Sequence, residues 1–256
     1  MADKKTLASF EKKVGSGYEL EGETITLGAG MLAGETHSSV PVRLPLKTLN
    51  RHGLIAGATG TGKTKTLQTI AGELSAAGVP SLVMDIKGDL SGLAAPGEDS
   101  KGIQKRHAAI DLPFEPASYP IEFYSLSKEP GAKLRGTVSE FGPVLLSKIL
   151  DLNATQSGIL SMIFQFCDDE GFLLLDLKDL KAAIQFAQEG HPEFEAEYGK
   201  VSKASSGTIL RKIVALEQQG AKKFFGEPSF EVDDLLRTDD VGRGVISVLR
   251  LKDLQS

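Results

Sequence analysis

Tryptophan is absent from this chain and cysteine occurs once, at Cys167. A single thiol closes no internal disulfide, so nothing in the sequence asks for an oxidising compartment. Long apolar runs are missing too. No window approaches the ~18 apolar residues that span a bilayer. The polar start Met1-Ala-Asp-Lys-Lys-Thr leads into no apolar stretch of signal-peptide length. The expectation is a cytoplasmic protein with no membrane partner. A basic stripe is also lacking: 29 Lys and Arg stand against 34 Asp and Glu, a net charge of −5. The nearest candidates, Lys101–His107 and Lys222-Lys223, are short and read as solvated surface. The four histidines share no spacing with one another or with Cys167 that suggests a metal site. There is no internal repeat and no low-complexity tract. With 41% hydrophobic and 25% charged residues, 256 residues suffice for one large domain or two small ones with a sizeable core.

The first 17 residues are polar around an isolated Phe10 and read as a mobile or helical arm. Tyr18, Leu20, Ile25 and Leu27 alternate with polar residues about Glu21-Gly22-Glu23, which predicts a small β-hairpin. Val40, Val42, Leu44 and Leu46 alternate again. Pro41 and Pro45 lie between them, which limits this stretch to an edge strand or an irregular approach. The apolar run His52-Gly-Leu-Ile-Ala-Gly57 predicts a buried strand. Leu67, Ile70, Ala71 and Leu74 then recur at helical spacing, with Gly78 as the C-terminal stop. Pro80-Ser-Leu-Val-Met-Asp85-Ile predicts the next strand, and strand–loop–helix–strand is the unit of a parallel α/β sheet. Residues 87–119 are Gly- and Pro-rich without clear period. Pro120–Leu126 predicts a third strand.

Residues 137–218 carry helical period almost throughout and predict four or more helices. Val144, Leu145, Lys148 and Ile149 fall near one face. Asn153 is placed to cap a helix bearing Ile159, Ile163 and Phe166, with Cys167 a core thiol in it. Leu177, Leu180, Ile184 and Ala187 continue the pattern, as do Ile209, Ile213 and Leu216. Gly244–Leu249 returns to a strand.

One motif carries chemistry. Gly57-Ala-Thr-Gly-Thr-Gly62-Lys63-Thr64 matches G-x-x-x-x-G-K-[ST] in full, between an apolar run and an amphipathic helix. Gly57, Gly60 and Gly62 permit positive φ and close backbone approach. The N–H groups of Ala58, Thr59, Gly60, Thr61 and Gly62 can then cradle phosphate oxygens, and the positive end of the following helix adds to the attraction. Lys63 is expected on the β- and γ-phosphates and the Thr64 hydroxyl on Mg²⁺, making ATP and Mg²⁺ the expected cofactors. Lys65 and Thr66 extend the candidate set. Thr66 and Gln68 fit a nucleotide-facing position and a plain helix surface equally. Asp85 ends the strand beside the loop and fits two roles, one at the Mg²⁺ shell or the attacking water, the other capping the next turn. Asp89 is a lesser candidate for the first role. Phe172-Leu-Leu-Leu-Asp176 looks like a metal-binding strand, but Leu177, Leu180 and Ile184 continue at helical spacing, so Asp176 reads as structural. Nothing local supports a phosphate role for Arg135 or Arg243.

Asn50-Arg51-His52-Gly53 through Thr64-Lys65-Thr66-Leu67-Gln68 strongly resembles the HerA-like ATPases of the FtsK–HerA superfamily, nearest to the YjgR-type branch. Asp85-Ile-Lys-Gly-Asp89-Leu-Ser-Gly, Gly142-Pro-Val-Leu-Leu-Ser, Leu152-Asn-Ala-Thr-Gln156, Leu173–Leu180 and Phe224-Phe-Gly-Glu-Pro228 resemble it in order, over roughly residues 18–250. The resemblance implies an α/β fold: a parallel P-loop NTPase sheet with a multi-helix insertion and a short N-terminal β segment. On that reading residues 1–45 are the arm and β segment and 46–130 the first part of the ATPase core. Residues 131–225 are the helical insertion and 226–256 the return to the core. The resemblance further implies a hexameric ring of copies of the chain in the complete protein, with DNA as partner by superfamily analogy alone. It places a later Asp-Glu strand, a sensor strand and an arginine finger beyond residue 256. These 256 residues are therefore expected to match the N-terminal half of the family domain, with Lys63 and Asp85 as the candidate catalytic residues.

Three readings follow. The first is a motor-type ATPase subunit. The second is a module that binds nucleotide without hydrolysing it. The third is a GTPase switch, suggested by the D-x-x-G form of Asp85-Ile-Lys-Gly88 but unsupported by any Asn-Lys-x-Asp for guanine.

Overall fold

The computed structural model describes residues 4–126 and 128–251. It is a mixed α/β structure whose described residues form two compact units, 4–123 with 233–251 and 124–232.

In the first unit, helix α1 (Lys4–Phe10) continues through a π-helical turn and a 3₁₀ turn to Tyr18. Strands β1 (Thr24–Leu32) and β2 (Glu35–Pro45) then form an antiparallel ribbon. The hairpin predicted about Gly22 lies further along the chain. Its turn is at Ala33 and Gly34, whose φ values of 50° and 80° give the twist that suits a two-residue hairpin. Pro41 and Pro45 sit in β2, where a two-stranded ribbon leaves each strand an open side needing no N–H. Phe10 is the anchor of the arm. Its ring lies 5.9 Å from that of His37, and a Cβ at Gly30 would stand 2.9 Å from its edge.

Helix α2 (Lys63–Ala76) ends in a full Schellman motif, with Val79 N–H donating to Leu74 O and Gly78 N–H to Ser75 O. Strand β3 (Ser81–Asp85) follows. Residues 87–119 contain a helix that hydrophobic period did not reveal, α3 (Lys101–Ile110). It buries no residue and is started by Ser100, whose Oγ accepts from Ile103 N–H. The basic stretch Lys101–His107 lies on this helix. Strands β4 (Ile121–Ser125) and β6 (Ile246–Arg250) follow, and β5 (Ala132–Lys133), which belongs to the second unit, pairs in parallel with Tyr124 and Ser125 at the end of β4; the strand order of this parallel sheet is β3-β6-β4-β5. Strand β6 pairs with β3 from Ser81↔Ile246 to Asp85↔Arg250. Ile246 and Val248 are fully buried, together with Ala71, Val83, Leu90 and Leu93. Helix α2 docks closely here: Ser75 Oγ donates to Gly244 O at 2.6 Å, and Gly244 N–H donates back to Ser75 O.

The run His52–Gly57 departs from expectation. It joins no ladder among the described residues, and Leu54 is 89% exposed. An apolar run becomes a buried strand only when neighbouring strands pair with it, and none of β3–β6 does.

The second unit is built from α4 (Val138–Ile149), α5 (Ala154–Asp169), α6 (Leu177–Glu189), α7 (Pro192–Tyr198) and α8 (Lys203–Gln218). Leu146, Leu160, Ile163, Leu177, Leu180, Ile184, Ile209 and Ile213 are its fully buried centre. Each such side chain contributes about 1.5–3 kcal/mol by leaving water. Helix α4 turns the apolar face read from the sequence outward. Val144, Leu145 and Ile149 are exposed, whereas Val138, Leu146 and Leu150 are buried. Gly142, at φ 68° and ψ 167°, breaks the helix before Pro143 restarts it, so the phase set at Val138 does not carry through to Leu146. Asp176 is the N-cap of α6, its Oδ1 accepting from Lys178 and Asp179 N–H. Among the described residues no helix is long and apolar enough to cross a membrane.

Candidate functional site

The loop Gly57–Gly62 connects this unpaired run to α2, exposed as far as Thr61 and half-buried at Gly62. Gly60 and Gly62 take φ of 82° and 98°, the region that disfavours side chains. Gly57 is required for a different reason: a Cβ there would lie 2.4 Å from Thr61 Oγ1. That hydroxyl closes the loop by donating to Ala58 O at 2.8 Å. Ala58 and Thr59 form the exposed entry to this turn. Gly62 is the N-cap of α2 and provides no side-chain acceptor, and the first turn contains no acidic residue. No side chain of the loop or first turn therefore caps the helix's first N–H groups, the state that favours an anion.

Lys63 folds back over the loop, its Nζ donating to Gly57 O at 2.6 Å and to Ala58 O at 2.8 Å. Its ammonium thus sits within the loop's concavity. Two carbonyls compensate it, and an arriving phosphate could replace them. Thr64 Oγ1 donates to Asp89 Oδ2 at 3.0 Å. Thr66 Oγ1 donates to Gly62 O one turn back and Lys65 is exposed, so these two belong to the helix surface in this structure. Gln68 does reach the site: its Nε2 donates to Asp89 O at 2.8 Å.

The two aspartates at and after the end of β3 are placed differently. Asp85 is 1% exposed, and its two oxygens accept from Gly88 N–H at 2.7 Å and Leu90 N–H at 3.2 Å. It caps the turn after β3, the second of its two expected roles. Asp89 is the carboxylate that meets the loop. The signal was Gly88, which takes φ of 82° and turns the chain so that the residue after it faces α2. Arg243 is occupied by Asp239 and Ser118 O, and Arg135 Nη1 by Glu227 O.

Compared with protein families, residues 31–256 match the model described as helicase HerA-like C-terminal. The chain belongs to this family. A search of curated proteins found no match. Membership of the HerA-like family accounts for the parallel α/β sheet and indicates an ATPase- or helicase-like motor domain. Among the described residues no group of three His, Cys, Asp or Glu side chains is arranged to hold a metal ion. A cation at the loop of this HerA-like chain would take most of its ligands from phosphate and water, as Mg²⁺ does.

Proposed function

We propose that this HerA-like chain binds Mg²⁺·ATP at Gly57–Thr64 as part of a motor-type ATPase. The observation that carries this reading is the ammonium of Lys63 held on Gly57 O and Ala58 O, over an uncapped helix N-terminus. In this reading Lys63 exchanges the two carbonyls for β- and γ-phosphate oxygens. The backbone N–H groups of residues 58–62 receive the phosphates, and Thr64 supplies a hydroxyl oxygen suited to a hard cation. The metal, when bound, neutralises phosphate charge. Ring assembly and movement of DNA belong to this reading by superfamily analogy only.

A second reading, nucleotide binding with little hydrolysis by these residues, is favoured by a specific observation. Both carboxylates near the loop are engaged, Asp85 on backbone N–H groups and Asp89 on Thr64. Asp85, with both oxygens held, is thereby withdrawn as a base for water, a contribution of about 10²–10⁴-fold.

Titration calorimetry with ATP and GTP, on the wild type and Lys63→Ala, tests the site. Saturable ATP binding lost in Lys63→Ala is expected, and equal affinity in a folded variant would refute the assignment. Preference for GTP would instead support the switch reading. Phosphate release by the same samples separates the first two readings. Turnover near 1 s⁻¹ or above, ordinary for working enzymes, would exclude the second.

A further inference from the structure

We infer that Asp89 is the acid that positions the divalent cation at this loop, making nucleotide binding depend on the metal. The inference rests on the nucleotide reading above and deepens it.

A carboxylate beside a triphosphate loop needs a reason. At about 4 Å, two like charges repel by about 1 kcal/mol in water and about 4 kcal/mol near a protein surface. An acid placed there weakens the binding of free ATP unless a cation lies between the two. Asp89 is so placed. Its Oδ2 accepts the proton of the Thr64 hydroxyl at 3.0 Å. A hydroxyl whose proton is held by a carboxylate has its lone pairs available to a cation. Donor and acid together form the all-oxygen set that Mg²⁺ prefers.

The placement is built, not incidental. The backbone on either side of Asp89 is fixed by the buried Asp85, through Gly88 N–H at 2.7 Å and Leu90 N–H at 3.2 Å. Leu90 is anchored in the core beside Ala71, Val83, Ile246 and Val248. Gln68, one helical turn beyond Thr64, ties the Asp89 carbonyl to α2 at 2.8 Å. Three hydrogen bonds and one buried leucine thus hold a single exposed carboxylate against the metal-binding hydroxyl of the motif. None of the ion pairs among the described residues involves Asp89, so no lysine or arginine compensates it.

The test uses a change of sign. Asp89→Asn keeps the shape and can still accept from Thr64, but it removes the charge. Calorimetry is run on wild type, Asp89→Asn and Lys63→Ala, with ATP in Mg²⁺ and with ATP in EDTA. Manganese EPR reports the metal directly. The wild type should bind ATP more tightly with Mg²⁺ than without. Asp89→Asn should lose about 10–100-fold with Mg²⁺, the usual cost of removing a carboxylate that supports a metal ligand. In EDTA it should bind ATP at least as well as wild type, because the repulsion is gone. The manganese signal of the ternary complex should weaken in parallel. Equal metal dependence in wild type and Asp89→Asn, with ATP binding intact, overturns the role of Asp89 and leaves the nucleotide site standing. A wild type that binds no ATP in either condition overturns the site itself. A variant weakened equally with and without Mg²⁺ marks Asp89 as a structural residue and also overturns the inference.

Discussion

Asp85 and Asp89 are four residues apart, of the same chemical type and on the same turn, yet one is buried on backbone N–H groups and the other exposed against a hydroxyl. Burial decides the difference. A carboxylate taken out of water must find donors, and the turn after β3 supplies Asp85 with two. Cys167 shows the same rule for a thiol. It is 2% exposed on α5, and burial, with a smaller effect from Asp168, pushes its pKa up to about 11. The reactive species is the thiolate, scarcely populated at pH 8 for such a group. The folded protein is therefore expected to resist a thiol-reactive dye at pH 8 and to take up one equivalent in denaturant. Labelling of the native protein as fast as a free thiol would show that α5 opens around Cys167.

Three helices of the second unit, α4, α5 and α6, begin with reciprocal caps. Thr137 with Glu140 and Asn153 with Gln156 each satisfy two backbone donors, and Asp176 with Asp179 satisfies four. The first makes a prediction with a sign. Glu140 Oε2 accepts from Thr137 N–H at 2.7 Å, and that hydrogen bond, with weaker help from Thr137 and Ser229 hydroxyls, holds its carboxyl below the usual Glu range. A carboxyl with a lowered folded pKa adds stability above the unfolded pKa, about 4.3, and loses it as pH falls through the folded value. Glu140→Gln should thus cost stability at pH 7, and the cost should shrink below about pH 4.3. Thr137→Ala should cost about 1 kcal/mol at pH 7. Urea midpoints at pH 7 and pH 3 measure both, and a pH-independent Glu140→Gln effect would contradict the cap. The Asn153 cap was legible because Asn precedes an apolar period directly. The inward face of α4 was not, because apolar residues line both sides of its second half, Val144, Leu145 and Ile149 outward and Leu146 and Leu150 inward, and period alone does not choose between them.

At the scale of the first unit, the sheet is only partly covered. β3 is an edge strand, and on it Leu82 and Met84 are 47% and 62% exposed while Val83 and Asp85 are buried. The unpaired run 52–57 adds Leu54 and Ile55 to the exposed apolar residues. Open edges and apolar patches of this kind promote association. The purified chain should self-associate as its concentration rises and should bind a hydrophobic dye in the folded state. Replacing Leu82 and Met84 with Thr keeps strand propensity and removes apolar area. The double variant should lower both signals in sedimentation and fluorescence without changing circular dichroism. Identical behaviour of variant and wild type would show that this face drives neither.

The linear sequence by itself determined the local features: the glycine-rich turn at Gly57–Gly62, the helix it opens, the stop at Gly78, the cap at Asn153, and the alternation that makes an α/β chain. Each is encoded within a few residues, by a glycine where φ must be positive, a side chain able to cap, or apolar residues at the helical repeat. Tertiary structure alone decided which carboxylate meets Thr64, whether His52–Gly57 pairs, and which side of α4 turns inward. Those depend on groups distant in the chain. A turn is aimed by what Leu90 and Gln68 contact, and a strand forms only if another strand supplies its hydrogen bonds. Local pattern records which residues prefer burial, and only the fold determines what they are buried against.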